Sequence, residues 1–358
     1  MSEGMLNELH GPEPVTPQEP AHPVSRRRFL KALGGLGALG GVSYLVSRGV
    51  VREPTGEPAP PSAPAPGQEE LVELSREIRP GGPPKDGIPP IEEPRFLSAS
   101  EAQFLFEDDV VFGLVHAGEA RAYPQLVLVW HEIVNDRFPD GPMTVTYCPL
   151  TGSTVAFRGK APGGESYSFG TSGDLVNSNL LMYDRQTDSR WPQILARAIL
   201  GPSFGRWLEE IPLDWTTWDR WRAAHPDTVV LSAETGFVRD YGSDPYGSYT
   251  PLSGYYAPGT SRQFPVTRED PRFDDKEVVI GVKLGTDRLA VRKSLLRRRG
   301  TVRATMEGKP VVVLYDPELD EGRAHLAGAG GRPARRIVSY DVMWFAWAAF
   351  FPGTAVVG

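Results

Sequence analysis

The sequence predicts an α+β, strand-rich fold of two related lobes, the second a shortened repeat of the first. Three observations carry this reading. Displaced by 168 residues, Val110–Pro149 falls on Val278–Pro317 without a gap, and ten of the forty paired positions are identical. Displaced by 126 residues instead, Trp218, Trp221, Pro226 and Thr228 fall on Trp344, Trp347, Pro352 and Thr354. The change of offset means that the second copy lacks 42 residues between the two blocks. Prolines, finally, are uneven: 17 of the 35 lie in the first 94 residues, so the folded body is expected to begin near residue 95.

Residues 25–31 read Ser-Arg-Arg-Arg-Phe-Leu-Lys and precede an uncharged apolar run, Ala32–Val46. A twin-arginine pair ahead of a mild apolar stretch predicts export by the bacterial Tat route. The Tat translocase is then a partner, and the destination is extracytoplasmic, in the periplasm or cell envelope. The run is shorter than the roughly 20 residues of a membrane-spanning helix; left uncleaved, it would tether the chain at a membrane by its N-terminus. Residues 1–52 are assigned to this signal region and 53–94 to a Pro-rich linker and lead-in. The first lobe, 95–260, is expected to carry the site, and 261–358 to be a structural repeat.

Within the first lobe, Val110–His116 and Glu119–Tyr123 alternate apolar and polar positions about Ala117-Gly118, which predicts a hairpin. Met143–Cys148 reads as a further strand closed by Pro149. Thr217–Ala224 reads as a helix with a threonine N-cap, placing Trp218 and Trp221 on one core-facing side. His225, which falls on Phe351 in the repeat, is expected to be structural. Arg297–Arg299 is expected to be a solvated face.

Composition narrows the function classes. Lys plus Arg number 38 against 45 Asp plus Glu, a net charge of −7, so a basic nucleic-acid footprint is absent. One cysteine, Cys148, excludes an internal disulfide and any multi-thiolate metal site within one chain. No resident cofactor or metal is identified from the sequence. A metal variant of the site would recruit Cys148, His131 and a carboxylate.

The repeat suggests a subtraction: matched residues are scaffold, and chemistry lies where the copies differ. Cys148 becomes Asp316, His131 becomes Arg299, and the 42-residue surplus has no counterpart. Cys148 ends a strand before a proline, and the hydroxyl of Thr151 in Cys-x-x-Thr would stabilise a thiolate and lower its pKa. His131 and Glu132 are read on a strand, pointing to opposite faces, with His131 taken toward the thiol. Gly170–Asp174 is a small-residue loop whose amides suit an anion, although it lacks the lysine of a P-loop. Ser172, Asn177, Asn179, Asp184 and Arg185 are the candidate ligand-binding residues around it. Trp191 and Gln193 are expected to wall a pocket.

The motifs Trp-His-Glu-Ile-Val-Asn-Asp at 130–136, Thr-Tyr-Cys-Pro-Leu at 146–150, Phe-Gly-Thr-Ser-Gly at 169–173, Met-Tyr-Asp-Arg-Gln-Thr-Asp-Ser at 182–189 and His-Pro-Asp-Thr-Val at 225–229 occur in one order. In this the chain resembles the bacterial domain-of-unknown-function family numbered 3179, from about residue 86 to the end. The resemblance implies a redox-active position at the Cys-Pro-Leu motif. Relatives reading Cys-Pro-Leu-Cys have a second thiol where this chain has Thr151. The expected function is a single-cysteine, thiol-dependent redox enzyme; the alternative is a non-enzymatic small-ligand or metal-binding protein of the cell envelope.

Overall fold

Strand pairing in the first half begins at the expected hairpin. Ala117 and Gly118 both have positive φ (49° and 81°), the two-residue turn whose twist matches the flanking strands. Val110–His116 and Glu119–Pro124 therefore pair in register. The sheet grows on both sides, with Asp214–Thr217 antiparallel on one edge and Val229–Leu231 parallel on the other, followed by Phe96–Ser98. The computed structural model describes residues 66–358. The arginine pair Arg26-Arg27 on which the Tat expectation rests, the apolar run Ala32–Val46 and the rest of 1–65 lie outside the described residues.

The same strand order recurs at both sequence offsets. Val278–Leu284 and Asp287–Arg292 form the second hairpin, flanked by Val338–Met343 and, in parallel, by Ala355–Val357. A second sheet type also recurs. Ile133–Phe138, Gly141–Cys148, Ser153–Arg158 and Glu209–Ile211 are ordered as Thr301–Met306, Lys309–Asp316, Glu321–Ala327 and Pro333–Arg336. The surplus of the first half builds a sheet without a counterpart, in which Phe169–Val176 pairs with Asn179–Asp184 and that with Arg190–Pro192. The whole is an α+β, strand-rich fold.

One contact explains several of the shared identities. The helix Trp218–Ala224 lays the Trp221 ring on Gly113, where a Cβ would stand 2.1 Å from the indole; Trp347 covers Gly281 in the same way, at 2.3 Å. The indole nitrogens donate to Thr228 and Thr354 at 2.9 and 3.0 Å. His225 stacks on Trp221 where Phe351 stacks on Trp347, which accounts for both as packing residues.

The halves share a core. One cluster joins Cys148, Leu181 and Trp191 to Val279, Tyr340, Trp347 and Phe350. Across it, buried Lys283 donates to the Ile194 carbonyl and to Glu210, each at 2.5 Å. Burial pushes the Lys283 pKa down to about 8, against the pull of Glu210.

The segment expected as linker and lead-in departs from that expectation from residue 66 onward. Gln68–Arg76 is a helix that buries Leu71 and Leu74, an i, i+3 pair, in the shared core. Arg79–Pro80 adds to the surplus sheet, and Ile91 bonds the backbone of Ile133 and Asn135. Among the described residues no helix is long and apolar enough to cross a membrane.

The indole-on-glycine contact generates a prediction. Gly113→Ala and Gly281→Ala should each lower the urea midpoint of unfolding, by about 1–3 kcal/mol in stability, because a rigid ring blocks the new methyl. Gly118→Ala, in the open hairpin turn, should act only through its positive φ and cost less. Equal effects at all three positions would contradict the packing account.

Candidate functional site

The strand Gly141–Cys148 sends Thr146 and Cys148 to one face, toward the surplus sheet. There Gln193 donates to Thr146 Oγ1 (2.9 Å) and accepts from Ser153 Oγ (2.7 Å) and Asn179 Nδ2 (3.0 Å). Asn179 also donates to Thr151 Oγ1 (3.1 Å), and its carbonyl accepts the Ile194 amide (2.9 Å). Thr151 and Asn179 are thus bonded to each other close to Cys148, with Ser153 and Gln193 completing a buried polar network. Its members satisfy one another, which fixes how the surplus sheet seats on the strand.

The Leu180 amide donates to Cys148 Sγ at 3.3 Å. The expected depression of the thiol pKa is not what this environment produces. Burial pushes it up from 9.0 to about 11, and the Glu132 carboxylate adds to the rise. The Thr151 hydroxyl and the amides of Leu180 and Thr151 act in the other direction and are outweighed. Glu132 is itself buried, and desolvation lifts its pKa to about 8.

The other expected site residues are spent elsewhere. His131 and Glu132 lie not on a strand but in the turn between the short helix Gln125–Leu128 and Ile133–Phe138, where Glu132 has φ 57°. The His131 ring is fully buried between the Pro89 carbonyl (Nδ1, 2.7 Å) and the Tyr241 hydroxyl (Nε2, 2.6 Å). The carbonyl only accepts, so Nδ1 carries the proton and Nε2 accepts from Tyr241. Desolvation lowers its pKa, so the ring is a neutral clamp between the lead-in and the 235–241 loop.

Ser172 donates to the Leu181 carbonyl and accepts the Asp174 amide, closing a bulge in Phe169–Val176. Gly170–Asp174 is therefore strand rather than an anion loop, and the lead-in covers it through Gly81 to Gly173 and Asp86 to Thr171. Asn177 sits in a two-residue turn with Ser178, both at positive φ, and accepts the Thr267 amide. Asp184 closes the 184–189 turn and accepts from Trp191 Nε1 (2.8 Å), so Trp191 is core. Arg185 bonds Tyr183 and forms surface ion pairs with Glu92 and Asp86. The eight residues do not line one pocket.

Where the halves meet, the fold opens a cleft of about 790 Å³. Trp215, Tyr249 and Gly152 wall it from the first half; Lys276, Lys293 and Asp341 wall it from the second. The Thr151 carbonyl accepts the Met343 amide at 2.9 Å, so the loop that starts at Cys148 ends on the cleft floor. Gly152 has φ 54°, and a Cβ there would sit 3.3 Å from Met343 Cε. Lys276 donates to Thr260 Oγ1 and the Tyr255 carbonyl and stands 3.4 Å from the Tyr255 ring centroid. Burial brings its pKa down to about 8.

Lys293 is buried and donates to Asp341 Oδ2, with Glu321 Oε2 at 3.7 Å. Burial opposes the Lys293 ammonium, but Asp341 and Glu321 outweigh it and hold its pKa up. Burial raises both acids, and Lys293 pulls against that rise in each; Asp341 adds to the rise of Glu321. The second half, expected to be support, supplies this wall, and Arg297, on the exposed face expected of 297–299, pairs with Asp320 at 2.8 Å. The signal was in the repeat: Lys293, Glu321 and Asp341 fall on Gln125, Ser153 and Trp215, so charge enters the second copy at buried positions. Among the described residues no group of three His, Cys, Asp or Glu side chains is placed to hold a metal.

The family model described as "Protein of unknown function (DUF3179)" matches residues 85–329. No curated protein and no solved structure matches the chain.

The thiol environment has a consequence for stability. A thiol held above its unfolded pKa favours the folded state at lower pH, and that contribution is lost as pH rises from 9 toward 11. Unfolding free energies measured over that range should fall for the native chain relative to Cys148→Ala, by on the order of 3 kcal/mol for two pKa units. Parallel curves would mean that the thiol is not held in its protonated form.

Proposed function

The chain belongs to the DUF3179 family of proteins of unknown function, and from that premise we propose that it is a small-ligand-binding protein whose site is the cleft between its halves. The observation that carries this reading is the cleft itself: about 790 Å³, aromatic on one side and charged on the other. That is the size and mixed lining of a small-molecule site. Cys148 then serves the core as a buried thiol, 1% exposed and hydrogen-bonded within the protein. We further propose that the protein works outside the cytoplasm, delivered by the Tat translocase. Replacing Arg26 and Arg27 by lysine should trap it in the cytoplasmic fraction.

A second reading keeps the thiol as the working group, and the donors around Sγ favour it. They would hold a sulfenate formed as Cys–SH and a small peroxide ROOH give Cys–SOH and ROH. Alkylation by iodoacetamide against pH separates the two readings. The binding reading expects a folded-state rate still rising toward pH 11; the redox reading expects a half-rise below about pH 8.5 and a plateau above it.

The site is tested by screening amines, amino acids, carboxylic acids and sugars for thermal stabilisation. Each hit is then mapped by amide hydrogen exchange. Protection should fall on 249–260 and 274–278. Protection centred on 130–150, or no stabilising compound, would overturn the reading.

A further inference from the structure

The cleft is lined by charges of both signs, which differ in how they are satisfied. Each lysine and arginine lining it is already bonded to protein acceptors. Lys276 is held by Thr260 and Tyr255, and Lys293 by Asp341. Arg297 is held by Asp320, and Arg220 by the carbonyls of Pro317 and Glu318. An anionic ligand would compete with these acceptors for cations already shared within the protein.

The acceptors are not filled in the same way. Asp341 is 5% exposed and lines the cleft; Oδ2 takes the Lys293 ammonium, while Oδ1 is buried with no hydrogen-bond partner. Behind it both oxygens of Glu321, wholly buried, also lack a hydrogen-bond partner. Two carboxyls therefore face one ammonium. The other charges acting on the pair come from Arg297 and Asp320 beside Asp341, and from Asp214 and Arg336 beside Glu321. Asp214 is itself engaged by Arg323 and Arg336, and Asp320 by Arg297. Trp215 and Tyr249, with ring centroids 5.0 Å apart, line the same cleft and give it an aromatic surface that favours a cation.

Resting on the reading of the cleft as a ligand site, we propose that its ligand carries a primary ammonium group, which pairs with the Asp341 carboxyl in the cleft that Trp215 and Tyr249 also line. An ammonium brings donors to an acceptor left empty by the fold, and a charge opposite to the excess carboxyl. Burial pushes both Asp341 and Glu321 toward the neutral acid, against the pull of Lys293. Seating RNH₃⁺ favours the carboxylate form of both acids, so binding is coupled to release of protons to solvent.

Four probes of one chain length test this on the full-length chain: n-butylammonium, n-butyltrimethylammonium, n-butanol and butyrate. Titration calorimetry should show n-butylammonium binding at least ten-fold more tightly than n-butyltrimethylammonium, which has charge but no N–H donor. Run near pH 7 in two buffers of different ionisation heat, it should also show proton release on binding. Asp341→Asn should weaken the ammonium at least ten-fold. Binding of butyrate or butanol in preference to the amine would overturn the ammonium assignment and leave the cleft standing as a site. No binding by any probe, with no compound of the wider screen protecting 249–260 and 274–278, would overturn both. The native-chain comparison between the two ammonium probes needs no variant, so a misfolded Asp341→Asn would not shield the proposal.

Discussion

An indole ring seated on a glycine sets the geometry of each half. Trp221 on Gly113 and Trp347 on Gly281 lock a seven-residue helix onto the first strand of a hairpin, at an approach that any side chain would block. With the helix so placed, the strand before it pairs with one edge of the hairpin and the strand after it runs parallel to the other. A helix this short has little stability of its own, so its packing has to hold it. The two halves then present faces that merge into one core and leave a cleft along the seam.

Equivalent scaffold positions are used in different ways. In the first half, Ser153 and Gln125 are neutral and enter hydrogen-bond networks that close upon themselves or on Asp244. In the second, the equivalents Glu321 and Lys293 are charged, and Asp341 replaces an aromatic ring, Trp215. A neutral network in a low-dielectric interior is satisfied by its own members; two carboxyls with one ammonium are not. The difference separates a polar core that specifies packing from a charged wall with an unfilled acceptor.

Much of the fold was legible because its signals are local or repeated. Ala117-Gly118 marks a turn through backbone conformation, and the Trp218/Trp221 spacing marks a buried helix face. The two offsets reveal the surplus that becomes the third sheet. The lead-in was obscured by its prolines, although Leu71 and Leu74 within Gln68–Arg76 carry a helical spacing. The site was less legible, because the properties that decide it are tertiary. Whether Cys148 is activated depends on how much water reaches it, and the burial that outweighs Thr151 comes from Leu180, Leu181 and their sheet. His131 was read on a strand because nothing adjacent announces the reversal at Glu132. The cleft draws on residues up to 233 positions apart, Val110 and Met343. Only the comparison of the copies, taken in both directions, pointed toward its charges.

The account places ligand recognition in the cleft and gives the thiol a structural part. The most direct test compares the affinity of n-butylammonium for folded Cys148→Ala and folded Asp341→Asn with that of the native chain. The account predicts native affinity in Cys148→Ala and a large loss in Asp341→Asn; binding that survives without Asp341 but vanishes without Cys148 would contradict it.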